Sequence, residues 1–172
     1  MNTYENLLTR RSIRKYKEKE VEKEKLERIA QAGTFSATGR NRQSPKIIVV
    51  TNKALRDRLS KLNAKIMGMD EGDPFYGAPA VIIVLADKSC PTYIYDGSIV
   101  MANLMTACYE EGLGSCWIHR AREEFELDEG KAILKELGIE GDYEGIGHCI
   151  VGYADENPTP SERKKDYICF AE

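Results

Sequence analysis

The stretch from Asp96 to Glu111 constrains this chain more than any other part of it. It carries Ile99, Val100, Met101, Leu104 and Met105, with Ala102, Ala107 and Cys108 between them, so it is apolar on nearly every side. That run is too long for a strand, and a helix that is apolar nearly all round belongs in an interior. A buried central helix needs layers on both sides of it, and the strand-like segments elsewhere can supply them. The expected fold class is therefore α+β, a sheet flanked by helices with one helix buried at its centre. At 172 residues the chain reads as one domain spanning 1–172, long enough to hold a core without a disulfide or a metal.

The remaining elements follow from periodicity and end signals. Thr3 is a candidate N-cap for a short first helix, in which Tyr4, Leu7 and Leu8 form an i, i+3, i+4 stripe. A second helix is expected over Val21–Ala32, with Leu26, Ile29 and Ala30 inward and Gly33 as its stop. Strands are expected at Lys46–Thr51, Pro79–Ala86, Leu113–Ile118 and Ile146–Tyr153. Asn52 caps a third helix that carries Leu55, Leu59, Leu62 and Ile66, and Asp128 caps a last helix that ends at Leu137 before Gly138. The segment 158–172 holds apolar Tyr167, Ile168 and Phe170 with no evident core position, so a second subunit is the expected place for it.

Charge and cysteine content exclude several classes. The chain has 25 Lys+Arg against 28 Asp+Glu, a net charge of −3, although residues 1–66 are basic and the rest acidic. A protein that coats nucleic acid is usually basic as a whole, so a local basic cluster facing one anionic ligand fits better. The five cysteines are odd in number and form no C-x-x-C pair, which points to reduced thiols in a cytoplasm. No apolar run reaches membrane-span length and no signal-peptide pattern opens the chain, so secretion and membrane insertion are not expected.

Motifs narrow the chemistry further. Gly112-Leu113-Gly114 and Gly145-Ile146-Gly147 lack the third glycine of a dinucleotide fingerprint, and phosphate-loop, zinc-protease and nucleophile-elbow patterns are missing. The positive signal is Arg10-Arg11-Ser12-Ile13-Arg14-Lys15-Tyr16. In an extended segment Ser12, Arg14 and Tyr16 share a face, and Arg10 can join them. Guanidinium forks and a hydroxyl on one side suit a phosphate, and a solvated arginine cluster is the bland alternative. A second signal is the loop Ser36-Ala37-Thr38-Gly39-Arg40-Asn41-Arg42-Gln43, whose amides can read a heteroaromatic edge or simply join a helix to a strand.

In order and spacing these segments resemble the nitroreductase family of FMN flavoproteins. The resemblance runs from Tyr4 to Lys165. It takes in the early arginine–serine motif, the Ser36–Gln43 loop and the Ala78-Pro79 strand entry. It continues through Gly112-Leu113-Gly114-Ser115-Cys116-Trp117-Ile118, then Gly147–Tyr153 with Asp155-Glu156-Asn157-Pro158, and ends at Arg163-Lys164-Lys165. It implies a nitroreductase-like fold, a mostly antiparallel central sheet in a homodimer, with FMN as cofactor and NADH or NADPH as electron donor. The implied reaction passes hydride to flavin N5 and then electrons to a small organic acceptor, nitroaromatic or quinone-like, in a ping-pong cycle.

Residue by residue, the resemblance implies that Arg10, Arg11 and Ser12 hold the FMN phosphate, joined by Arg163 and Lys165. Arg14 is implied at the pyrimidine edge of the flavin, where a cation favours the reduced form, with Asn63 near that edge. The backbone of Ile118, His119 and Arg120 is implied near N5, and Ala37, Thr38, Gly39 and Asn41 are implied to come from the second subunit. No side chain need act as acid or base. Two departures stand out: Ser44-Pro45-Lys46 replaces the usual Pro-Trp after Gln43, and His119-Arg120 stands where a glycine is common. A basic pair there can select an anionic acceptor or the nicotinamide phosphate, or point to solvent.

Two rival readings are a flavin- or phosphate-binding protein without turnover, and a zinc enzyme using Cys116, His119, His148 and Cys149. Cys116 as a nucleophile lacks an evident acidic orienter for His119.

Overall fold

The structure, a computed structural model, describes residues 2–171. Its scaffold is a four-stranded, wholly antiparallel sheet of order β1-β2-β4-β3. The strands are β1 (Pro45–Val50), β2 (Ala80–Asp87), β3 (Gly114–Ile118) and β4 (Tyr143–Gly152). β2 explains why the sheet is buried on both faces. Alternate side chains leave a strand on opposite sides, so Ala80, Ile82, Val84 and Ala86 pack into one core while Val81, Ile83 and Leu85 pack into the other. The first core is closed by α2 (Lys23–Thr34) and α4 (Tyr93–Glu110), through Leu26, Ile29, Met101 and Leu104. The second is closed by α3 (Lys53–Ile66), α5 (Ala121–Glu126) and α6 (Asp128–Glu136), through Leu59, Phe125 and Ile133, with Phe75 beneath them. Each fully buried aliphatic or phenyl side chain of this kind contributes about 1.5–3 kcal/mol.

Several expectations are met in place and corrected in detail. α1 (Thr3–Thr9) is capped by Asn2 and not by Thr3. Asn2 Oδ1 accepts the Glu5 amide at 2.9 Å and the Glu5 carboxylate accepts the Asn2 amide, a reciprocal capping box that a Thr3 cap could not form. The Tyr4, Leu7 and Leu8 stripe faces outward, because α1 docks on α4 through buried Asn6, whose Nδ2 donates to the Thr106 carbonyl at 3.1 Å. Gly33 does not stop α2, which continues to Thr34. A Cβ at Gly33 would lie 2.8 Å from both Ile47 and Leu104, so the glycine is there for helix–helix and helix–sheet contact. Asn52 caps α3 as expected, accepting from the Leu55 amide at 2.9 Å. Asp128 is instead the first residue of α6 and makes no side-chain cap, while Gly138 takes the left-handed φ of 69° beyond its end.

α5 lies outside the expected elements. Its sequence, AREEFE, offers one apolar i, i+4 pair, Ala121 and Phe125, too little periodicity to announce a helix. α4 departs from expectation in its burial. Asp96, Gly97, Val100, Met101, Leu104 and Cys108 face the sheet, but Ile94, Tyr95 and Ile99 are exposed on the outer side. Within one chain the outer side of the central helix is covered only in part, by α1. Among the described residues no helix is long and apolar enough to cross a membrane.

Candidate functional site

The Arg10–Tyr16 segment crosses the sheet end where β3 begins and β4 finishes. Ser12 bridges Ser115, the Ile13 amide donates to the Ser115 carbonyl at 3.0 Å, and Tyr16 bridges Ala154. Two glycines make room for the crossing. A Cβ on Gly114 would meet Ile13 at 2.8 Å, and one on Gly152 would meet Tyr16 at 2.8 Å. The Glu156 carboxylate then accepts the Arg14 and Lys15 amides and fixes the far side of the turn. Buried Ile13 is the anchor, and the polar residues on either side of it are left at or near the surface.

At this crossing, donors outnumber acceptors. Arg11 Nη1 donates to the Leu8 and Arg10 carbonyls at 2.8 and 2.6 Å, but Arg11 Nε, Arg10 Nη1 and Ser115 Oγ are buried and make no hydrogen bond. Buried donors without acceptors are costly, on the order of 1–3 kcal/mol each. The set fits a ligand that brings several anionic oxygens, and so fits a phosphate. The same neighbourhood acts on Cys116. Burial pushes its thiol above the ordinary value, while the Arg14 charge, the Ser12 side chain and the Arg10 charge oppose that shift. A thiol raised in this way is a poor nucleophile at neutral pH. Burial likewise raises the Tyr16 phenol, which donates to the Ile13 carbonyl at 2.6 Å.

The Ser36–Gln43 loop is pinned at its base and exposed at its tip. Asp96, buried at the start of α4, accepts the Gly39 amide at 3.0 Å, the Ser44 hydroxyl at 2.9 Å and the Thr92 hydroxyl at 3.1 Å. A Cβ on Gly39 would meet Thr92 Oγ1 at 2.2 Å, so Gly39 serves the anchor. Thr38 Oγ1 accepts the Gln43 amide at 3.1 Å, which leaves Ala37 and Asn41 exposed. Arg40, Asn41 and Gln43 all hold left-handed φ values of 52–54°, a conformation that costs non-glycine residues on the order of 1 kcal/mol each and concentrates at functional sites.

The other end of β3 is organised from behind. Asn63 is fully buried; its Nδ2 donates to the His119 carbonyl at 3.0 Å and to Glu124 Oε2 at 3.2 Å, and its Oδ1 accepts from Arg120 Nε at 3.1 Å. Both ends of its amide are therefore engaged by protein, and it supports the His119–Arg120 turn from the core side. Glu124 Oε2 also lies 2.7 Å from His148 Nε2, with both residues fully buried. His119 is exposed and Ile118 is buried. Arg163 and Lys165 lie in the exposed C-terminal tail.

The four residues of the zinc alternative do not converge. His148 and Cys149 are neighbours on β4 and point to opposite faces. Cys149 lies in the α2–α4 core, whereas His148 contacts Phe75 and Phe125 across the sheet. Among the described residues no group of three or more His, Cys, Asp or Glu could hold a metal.

A cleft of about 1420 Å³ lies elsewhere, between Lys17–Val21, α3 and the Asp73–Ala80 segment. Its walls hold paired charges, Arg56 with Asp73, Lys53 with Asp57, and Arg58 with Glu129, so it offers a ligand far less than the crossing does. Sequence reasoning missed Ser115, Asp96 as an anchor, Glu124 and Glu156. Ser115 and Glu156 had local signals, their places inside the Gly114–Trp117 and Asp155–Pro158 motifs.

Fold and site together define an α+β protein with an arginine-rich segment laid across one end of its sheet. The model of the Nitroreductase family matches residues 7–72 and 66–153, and the chain belongs to that family. It is similar over its full length to a nitroreductase with bound FMN from Desulfitobacterium hafniense, at 27% identity and a TM-score of 0.90, with 100% of both chains covered. An FMN-dependent nitroreductase from Clostridium difficile is 32% identical with a TM-score of 0.81, covering 97% of this chain and 98% of that one. A relative from Methanothermobacter thermautotrophicus, named "Putative NADH dehydrogenase/NAD(P)H nitroreductase", is 30% identical over 121 residues. That match spans 68% of this chain and 60% of the relative.

Proposed function

We propose that the protein is an FMN-dependent oxidoreductase that takes electrons from NADH or NADPH and passes them to a small organic acceptor, nitroaromatic or quinone-like. The observation that carries this reading is the acceptor-poor cluster of Arg10, Arg11 and Ser115 around Ser12, in a chain of this family. Bound FMN supplies hydride acceptance at N5 and storage of two electrons. The chain supplies binding, orientation and charge. Arg10, Arg11 and Ser12 hold the phosphate by charge-assisted hydrogen bonds. Arg163 and Lys165 join them when the tail is docked. Arg14, exposed beside the crossing, stands at the pyrimidine edge and favours the reduced, anionic form. The backbone at Ile118–Arg120 lines the N5 side, with Asn63 holding it from the core. Donor and acceptor use this one place in turn, the donor leaving before the acceptor enters.

The working unit in this reading is a homodimer of single-domain chains, with the tail 158–172 packed on the partner. Tyr4, Leu7, Tyr95 and Ile99 on α1 and α4, and Tyr167, Ile168 and Phe170 in the tail, are apolar side chains left exposed in one chain, and a second copy would cover them. The loop carrying Ala37, Thr38, Gly39 and Asn41 then reaches the partner's flavin. Four of the five thiols are buried and all five are free, which suits a reducing, cytoplasmic setting.

Protein reconstituted with FMN should show flavin absorption bands that NADH or NADPH bleaches within seconds. Failure to retain FMN overturns the reading, and retention without bleaching leaves a binding protein. Light scattering should report a dimer at micromolar concentration; a stable flavin-loaded monomer contradicts the assembly.

A further inference from the structure

The turn that ends β3 carries a cation whose position is set by a buried polar chain. Arg120 holds φ 75°, a conformation that glycine adopts more cheaply, and its Nε donates to Asn63 Oδ1 at 3.1 Å. Behind it stand Asn63, Glu124 and His148, all fully buried and linked at 3.2 and 2.7 Å, with the His148 ring edge-packed on Phe75 and Phe125. This chain of contacts engages Nε and leaves both terminal nitrogens of the guanidinium without a protein partner among the described residues. Its neighbour Arg122 is ion-paired with Glu126 and Glu144, whereas Arg120 forms no ion pair among the described residues.

We infer that Arg120 is a specificity residue that recognises an anionic group, carboxylate or phosphate, on a reactant at the N5 side of the site. The inference rests on the functional reading above, which puts the Ile118–Arg120 turn there. A guanidinium held at Nε presents a planar fork that can take two oxygens at once. Because the fork is already oriented, binding loses little further side-chain freedom. A neutral reactant would desolvate the cation and give it nothing in return, so the residue discriminates by charge. Two sources supply such a group: a carboxylate on the electron acceptor, or the 2′-phosphate that distinguishes NADPH from NADH.

The test uses FMN-loaded wild type, Arg120→Gly and Arg120→Lys. Glycine fits the backbone at this position, and lysine keeps the charge without the fork. One arm compares kcat/KM for 4-nitrobenzoate with that for 4-nitrobenzamide at fixed NADH, and the other compares NADPH with NADH at a fixed acceptor. Arg120→Gly should lower the anionic-to-neutral ratio by about tenfold or more in one arm, as expected for losing a charge-assisted hydrogen bond. Arg120→Lys should recover part of it. A fall in the first arm assigns the anion to the acceptor, and a fall in the second assigns it to the donor. Ratios unchanged in both arms overturn the inference while leaving the flavoenzyme intact. A wild type that holds no FMN overturns the functional reading and this inference with it.

Discussion

The α3 wall and the Arg10–Tyr16 crossing are both arginine-rich, and they use arginine in opposite ways. On α3, Arg56 is buried and donates to the Ala78 carbonyl at 3.1 Å, to Asp57 at 3.1 Å and to Asp73. Arg58 pairs with Glu129 and Glu136. At the crossing, Arg10, Arg11 and Arg14 have no carboxylate partner among the described residues, and the Glu156 carboxylate beside them is bound to backbone amides. An arginine surrounded by acceptors is part of the structure. An arginine whose buried donors meet no acceptor among the described residues suits an added one, such as a phosphate. The same logic separates Arg122 from Arg120.

The comparison breaks first if Arg56→Ala is harmless. Removing it leaves Asp73 with an unpaired, half-buried carboxylate, and should destabilise the protein by about 3 kcal/mol in urea unfolding. Part of that loss depends on pH. Burial works against the Asp73 carboxylate, but Arg56, Ser60 and the amides of Gly77 and Phe75 hold its pKa below the ordinary value. A depressed carboxylate contributes stability above its unfolded pKa of about 3.9, and that contribution is lost as pH falls through the folded value. The wild-type advantage over Asp73→Asn should therefore be full at neutral pH and shrink below about pH 4.

Arg10→Ala makes the opposite prediction. Folding stability without cofactor should change by less than about 1 kcal/mol, since no ion pair is broken, while FMN affinity falls roughly 10- to 100-fold. A titration by flavin fluorescence quenching decides it. Arg14→Ala sharpens the contrast within the crossing. If its charge serves the reduced flavin, the loss of about 1.5–3 kcal/mol lowers the two-electron midpoint potential by roughly 30–65 mV. Arg10→Ala should leave the potential of FMN-saturated protein near the wild-type value, and equal midpoints for both variants would remove Arg14 from the ring. The smallest effect is expected at Lys53, whose i, i+4 pair with Asp57 is exposed. Lys53→Ala should cost under about 0.5 kcal/mol in the same urea assay.

Much of this was legible in the chain itself. The β-branched run of β2, the Asn52 cap and the Gly138 stop are local signals, because short-range sterics and hydrogen bonds produce them before any tertiary contact forms. The Arg10–Tyr16 motif was legible for a similar reason, since arginines and a serine in extended spacing present donors on one side wherever the segment lies. The adjacency of His148 and Cys149 on one strand also contained the argument against a shared metal, since pleating sends neighbours to opposite faces. Tertiary structure alone decided the rest. Gly33 reads as a stop until Ile47 and Leu104 are seen 2.8 Å from where its Cβ would be. That the Asn63 amide is engaged by Glu124 and Arg120, both supplied by the turn and helix after β3, is visible only in the tertiary structure. α4 is apolar nearly all round in sequence, yet one chain leaves Ile94, Tyr95 and Ile99 exposed. Periodicity records which side chains avoid water, but which neighbour removes the water depends on contacts between segments far apart in the chain.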